Sequence, residues 1–297
     1  MAELTIERPR FGWTGAITRT WLFFRRWPVF STVIVVIFIV AAIFAPLIEP
    51  HDPVRAVLRE RNTPPVWYAK GSATHILGTD YVGRDVLSRV IHGARVSLLV
   101  VTISTASGLL VGVTLGLIAG YAGRLTDEIV MRIVDIWLGL PLILIALVIV
   151  IVFGQSFPTL MAVLALFAWS PFVRNVRAET LSLKGRDYVS LARVAGASNT
   201  RILVIHILPG VINTIIVIAT LRTGQLIMTE AILSFLGAGI PPPTPAWGAM
   251  VNDGRGYLRD AWWISFFPGL AIFLITMSLN FLGDWFRDKY DPRLRQL

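Results

Sequence analysis

The chain has no cysteine, only three lysines and few charges of any kind. Without cysteine there is no disulfide, thiolate metal site, iron–sulfur cluster or cysteine nucleophile. Lys70, Lys184 and Lys289 never follow a glycine, so the phosphate loop G-x-x-x-x-G-K-[ST] is missing and no nucleotide is held that way. Charged residues make up 15% of the 297, where soluble domains carry about 25%. The four histidines, His51, His75, His92 and His206, show no metal-ligand spacing and no serine–histidine–acid pattern, so neither a metal site nor a catalytic set is expected.

What the chain does have is hydrophobic residue, 55% of the total, gathered into long runs. Such runs define an integral membrane protein of all-α class. The net charge of +9 then needs no nucleic-acid partner, because arginine collects in cytoplasmic loops against anionic lipid.

A helix needs about 20 apolar residues to cross the hydrocarbon. Charge-free runs supply six spans: Val29–Ile48, Val96–Gly123, two from the 38-residue run Ile136–Val173, Ile207–Phe235 and Ala261–Gly283. Gly154-Gln155-Ser156-Phe157-Pro158 divides the long run, and Pro141 should kink its first half. Six spans put both termini on one side. Placing them inside puts 17 of the 27 basic residues inside as well. The basic start before Val29 is compatible with a signal peptide, but 28 residues precede the run and Pro46 follows the only small-residue cleavage site. It is read as a retained first span. Phe11–Trp27, mixing aromatic residues with arginines, reads as a stretch lying at the headgroups. The resulting organisation is an interfacial segment 1–28, a first span 29–48, an extracytoplasmic loop 49–95 and a core 96–297. That core contains a long cytoplasmic loop 174–206 and a tail 284–297.

Gly108, Gly112, Gly116 and Gly120 repeat at four residues and form a nearly bare stripe, suited to close helix packing or to lining a path. Asp135, three residues after Arg132, suits a local ion pair. Intramembrane charges default to function. Arg222 and Glu230 either face a watery cavity or pair with a partner subunit, and Gln225 and Asn280 are further candidates for a pathway. In the long loop Gly185 stops one helix, Asp187 offers an N-cap and Gly196 a left-handed C′ residue, with Ser198 capping a following helix. Between them Tyr188, Leu191, Ala192 and Ala195 make one apolar stripe, whose cover is either the membrane surface or a partner's groove. On the other side, Pro241-Pro242-Pro243-Thr244-Pro245 is a stiff run, with Trp247, Trp262 and Trp263 as expected interfacial anchors.

Asp187-Tyr188-Val189-Ser190-Leu191-Ala192-Arg193-Val194-Ala195-Gly196, followed by Leu208-Pro209, resembles the EAA signature of permease subunits in ATP-binding-cassette (ABC) importers. Its glutamate position is Ser190 and its first alanine Leu191. Ile43-Phe44-Ala45-Pro46-Leu47-Ile48, Leu77-Gly78-Thr79-Asp80, Gly83-Arg84-Asp85-Val86-Leu87-Ser88-Arg89, Leu233-Ser234-Phe235-Leu236-Gly237 and Phe267-Pro268-Gly269 are similar to the dipeptide/oligopeptide permease family, C-type second subunit. The resemblance implies a type I importer bundle, no enzymatic activity in the chain itself and residence in the bacterial inner membrane. It implies a homologous permease as heterodimer partner, two ABC ATPases holding ATP and Mg2+, and an extracytoplasmic solute-binding protein. It also makes the segment from Arg186 to Ser198 the ATPase-docking coupling helix, with Arg186, Asp187, Tyr188, Ser190, Leu191, Ala192, Arg193, Gly196, Ala197 and Ser198 as its residues. Nickel and glutathione are alternative cargoes within the same family. A secondary transporter or channel would show an internal repeat with paired broken helices, and one kinked span without a matching half does not.

Overall fold

The structure, a computed structural model, describes residues 28–290. The Phe11–Trp27 stretch and the tail from residue 291 lie outside the described residues. The helices are α1 (Val29–Ile48), α2 (Val86–Ala122), α3 (Arg124–Gly139), α4 (Leu142–Phe153), α5 (Phe157–Lys184), α6 (Asp187–Val194), α7 (Asn199–Arg201), α8 (Leu208–Phe235), α9 (Trp247–Gly254) and α10 (Trp263–Tyr290). A π-helical stretch, Ile202–Ile207, joins α7 to α8. Five helices are long and apolar enough to cross a membrane, and the bent pair α3–α4 can count as a sixth span.

Several boundaries differ from the charge-free runs. The second span starts at Val86, ten residues before the charge-free run begins at Val96. Asp85 caps it by accepting from the Ser88 backbone N–H. Arg89 within this extension is buried, donating to the Pro53 carbonyl and standing 3.7 Å from Asp80. The third span starts at Arg124, directly after the positive-φ Gly123, rather than at Ile136. At Pro141 it does not merely kink. Leu140 is extended, as a residue before proline prefers, and the two pieces meet at 83°. With twelve residues, about 18 Å, α4 does not cross on its own. The division at Gly154–Pro158 stands as expected, with Ser156 capping α5.

The centre of the bundle is the pairing of α2 with α5. Gly108, Gly112, Gly116 and Gly120 lie on Ala168, Phe172, Val176 and Thr180 in that order, a constant offset of sixty residues, so the two helices run parallel. A methyl group on Gly108 would stand 2.3 Å from the Ala168 Cβ, and one on Gly112 2.5 Å from the Trp169 carbonyl oxygen. The stripe is therefore a packing surface, where backbones approach within dispersion range. Helix α1 leans on this core through Ser31, Ile34, Ala42 and Ala45, with the Phe38 ring edge-on to Trp247 at 5.3 Å. Its remaining faces, including Phe30, Ile37, Ile43 and Leu47, are exposed. An apolar helix exposed on most of its circumference suits lipid as its solvent.

Trp247 and Trp263 are buried structural posts rather than interfacial anchors, while Trp262 is half-buried. Trp247 is fully buried and donates to the Val90 carbonyl at 2.9 Å. Trp263 donates to Thr79 at 3.0 Å, and Trp262 to the Tyr68 hydroxyl at 3.0 Å. Each indole N–H ties the α9–α10 region to the chain leading into or opening α2, the Trp247 and Trp263 donors being met within the protein and the Trp262 donor at its surface.

Candidate coupling segment and transport face

Helix α5 runs on past the apolar part of its span to Lys184, and α6 follows after Gly185 and Arg186. Arg186, in extended conformation, occupies the N-cap, and Asp187 is the first helical residue. That corrects the N-cap by one position. A carboxylate in the first turn still favours the positive end of the helix dipole. The other end closes as the sequence indicates. Gly196 has φ of +79°, its N–H donates to Arg193 at 3.0 Å, and the Ala197 N–H donates to Ala192 at 3.0 Å. These two bonds are the Schellman closure. Ser198 then accepts from the Arg201 backbone N–H and starts α7.

The π-helical stretch has a local cause. Pro209 carries no N–H and its ring opposes a carbonyl four residues back. A wider turn, in which the Leu208 N–H reaches Leu203, relieves that conflict at the entry to α8.

The apolar stripe of α6 is divided between two destinations. Val189 is fully buried, in one core with Val113 and Leu117 of α2, Phe172 and Val176 of α5, Ile202, Ile207, and Val211 of α8. Ala192 and Ala197 pack partly against the same core. Tyr188, Leu191 and Ala195 instead stay exposed, joined by Val194 at 88% exposure. Ser190 and Arg193 are exposed as well. The reading from periodicity had all four apolar positions facing together. Val189 and Val194 were missed, though Val194 stands three residues from Leu191 and extends its row. Tyr121 at the end of α2 locks the unit. Its hydroxyl donates to Asn199 at 2.9 Å, its carbonyl accepts from Lys184, and Arg193 lies 5.9 Å over its ring. Arg177 holds Asp127 of α3 with two donors, one at 2.6 Å. Asp135 pairs with Arg174 across to α5 at 2.5 Å, not with Arg132, which reaches Glu128 instead.

The four pathway candidates do not converge. Glu230 is fully enclosed, accepting from Ser97 of α2 at 3.1 Å and from Ser234 at 2.7 Å. It faces no watery cavity within this chain. Arg222 bonds to Gln225 one turn along α8. Asn280 lines an open groove of about 460 Å³ between α8 and α10, with Met228, Phe273 and Thr276, and its amide oxygen lies near Gly224. Arg222, Gln225 and Asn280 are accessible and Glu230 is not.

A parallel glycine-packed helix pair, a broken third span and a short, firmly seated helix presenting apolar residues outward fit a membrane permease subunit, the class to which the family models assign the chain. The family model for the inner membrane component of binding-protein-dependent transport systems matches residues 112–296, and that for the N-terminal TM domain of oligopeptide transport permease C matches 19–65. The chain belongs to this family of ABC-importer permeases, and as a permease subunit it is not itself an enzyme. It is similar to the dipeptide transport system permease protein DppC of Escherichia coli K12, 46% identical over 93% of both chains. It is also similar to the di/tripeptide transport system permease protein DppC of Pseudomonas aeruginosa, 41% identical over 86% of this chain and 84% of that one. The glutathione transport system permease protein GsiD of Pectobacterium atrosepticum is 43% identical over 75% and 74%. A crystal structure of an amino acid ABC transporter with histidines aligns at a TM-score of 0.52, with 17% identity, over 71% of this chain and 95% of that one, which concerns the fold.

Proposed function

We propose that this chain is one of two homologous permease subunits of an importer that takes up dipeptides or short oligopeptides. The solute arrives on an extracytoplasmic binding protein, and two ABC ATPases carrying ATP and Mg2+ drive the cycle. The peptide cargo follows from the named relatives, among which dipeptide permeases align over the largest share of the chain. The observation that carries the coupling role is the divided stripe of α6. One side seats it on α2, α5 and α8, and Tyr188, Leu191 and Val194 remain for a partner. A short apolar row offered this way suits a groove on a soluble partner. Arg124, Arg132, Arg174, Arg177, Lys184, Arg186, Arg193 and Arg201 gather at the same end, which favours a cytoplasmic position.

The mechanism is leverage. The two ATPases close on ATP and carry α6 with them. Because Val189 is embedded in the same core as both central helices, α6 does not slide independently. The glycine-packed α2–α5 pair, with α8 held to it by the Ser97–Glu230 bond and the shared core at Val211, moves as one body. The groove holding Asn280 is where access to the solute path changes. ATP and the loaded binding protein each shift the equilibrium through their different affinities for the two states.

The test is co-purification of the tagged chain in detergent, followed by ATP hydrolysis with candidate binding proteins and peptides. Two ATPases and a second permease should accompany the chain, and dipeptide-loaded binding protein should raise hydrolysis. A chain that purifies alone, or a complex stimulated by glutathione and not by dipeptides, overturns the coupling or the cargo respectively.

A further inference from the structure

We propose that His51, His75 and Asp85 form a binding site for a divalent transition metal of the zinc type at the start of α2. The three residues come from three places: the segment just after α1, the long connection to α2, and the N-cap of α2 itself. Their donor atoms all lie within 4.8 Å of one another. His75 Nδ1 is 2.9 Å from Asp85 Oδ1, and His51 Nδ1 is 3.9 Å from the same oxygen. Tetrahedral zinc, with bonds near 2.0–2.1 Å, sets donors about 3.3 Å apart, between those two values. Small side-chain rotations close the difference.

Three further observations point to a ligand. The His51 Nδ1 atom is enclosed and has no hydrogen-bond partner, an arrangement that carries a cost unless something fills it. The outer nitrogen of His75, Nε2, faces Glu60 Oε2 at 3.2 Å. A carboxylate behind a histidine is the outer-shell arrangement that fixes a metal-binding imidazole. Asp85 also divides its oxygens. Oδ2 accepts from the backbone and hydroxyl of Ser88, both at 2.7 Å, which leaves Oδ1 directed at the two rings. The Ser88 hydroxyl in turn accepts from the His51 backbone N–H at 3.0 Å, so the first ligand is held in place by the helix that supplies the third.

Two imidazoles and one carboxylate are borderline donors that suit Zn2+ and its neighbours rather than Mg2+ or Ca2+. The ion would pin the exit of α1 and the loop onto the N-terminus of α2, about 50 Å along that helix from Tyr121. It lies far from the coupling segment and acts on the rigidity of the opposite face.

The test uses the full chain purified in detergent, freed of metal with a chelator and dialysed against Zn2+. The wild type should hold one equivalent more than His51→Ala, in which only a half-exposed ring is removed. Co2+ should give a visible ligand-field spectrum in the wild type that is lost in His51→Ala. Zn2+ should raise the unfolding temperature of the wild type and not of that variant. His92→Gln, whose ring pairs with Glu49 outside the cluster, should bind as the wild type does. Glu60→Gln should weaken binding about 10- to 100-fold. Equal Zn2+ content in wild type and His51→Ala overturns the proposal and leaves His75 as a ring bonded between Asp85 and Glu60. Competition by Ca2+ as effective as that by Zn2+ overturns the assignment to transition metals.

Discussion

Adding single methyl groups to the α2 stripe isolates how much of the bundle rests on backbone contact. At Gly108 a Cβ would sit 2.3 Å from the Ala168 Cβ and 2.8 Å from its carbonyl carbon, and at Gly112 it would sit 2.5 Å from the Phe172 Cβ. Ordinary carbon contacts are about 3.5–4.0 Å, so the helices must part by roughly 1 Å along their length. Overpacking of this sort costs about 1–3 kcal/mol per site, offset by about 0.5–1 kcal/mol from replacing a helical glycine. Each of Gly108→Ala and Gly112→Ala should therefore lose about 1–2 kcal/mol, and the pair together less than the sum, about 2–3 kcal/mol, because the second methyl meets surfaces the first has already parted. Gly139→Ala is the matched control, since its Cβ would meet nothing within 4 Å. Thermal unfolding in detergent reads the loss. Ala168→Gly, by removing the nearest opposing atom, should recover part of the Gly108→Ala deficit and none of the Gly112→Ala deficit. A double alanine variant as stable as the wild type would refute the close-packing account.

Other substitutions separate the remaining contributions. Gly196→Ala forces a methyl into a left-handed residue and should cost about 1 kcal/mol, seen as lower ATP hydrolysis in the assembled complex with little change in the amount of chain in the membrane. Trp247→Ala empties a fully buried indole site and should cost about 3–5 kcal/mol, seen as lost monodispersity in size-exclusion chromatography, with Trp247→Phe far milder. Glu230→Gln keeps acceptance from Ser97 or Ser234 and should retain transport, whereas Glu230→Ala leaves two enclosed hydroxyls unpaired at about 1–3 kcal/mol each; peptide uptake and melting distinguish the two. Asp135→Ala removes an exposed pair and should change stability by at most about 1 kcal/mol, within the scatter of the same melts.

What was legible in the sequence was local. Charge-free length reveals the spans because an unpaired charge in hydrocarbon is costly. The ends of α6 were marked by Gly185, Gly196 and Ser198, whose conformational or capping preferences act within a few residues. The hidden parts depended on partners distant in sequence. The extension of α2 back to Val86 was obscured by Arg89, whose charge is met by Asp80 and the Pro53 carbonyl. Asp135 found Arg174, 39 residues away, rather than Arg132. Periodicity placed Tyr188, Leu191, Ala192 and Ala195 on one helix face but did not reveal that Val189 and Ala192 would turn to the α2–α5 core. His51, His75 and Asp85 carry no spacing signal because three separate segments deliver them to one point. Trp247 looked like a surface anchor because nothing local foretells α9 or the Val90 carbonyl that receives its N–H.

The central claim, that the exposed row of α6 meets an ATPase, is tested most directly by cross-linking from single cysteines, which a cysteine-free chain allows without prior engineering. Leu191→Cys and Val194→Cys, labelled with a thiol-reactive photo-cross-linker in native membranes, should give an adduct of one permease with one ATPase. The yield should change on adding ATP, while the buried Val189→Cys and the distant Val66→Cys give none. Labelling of Leu191→Cys and Val194→Cys that captures only lipid would contradict the account and make α6 a membrane-surface helix.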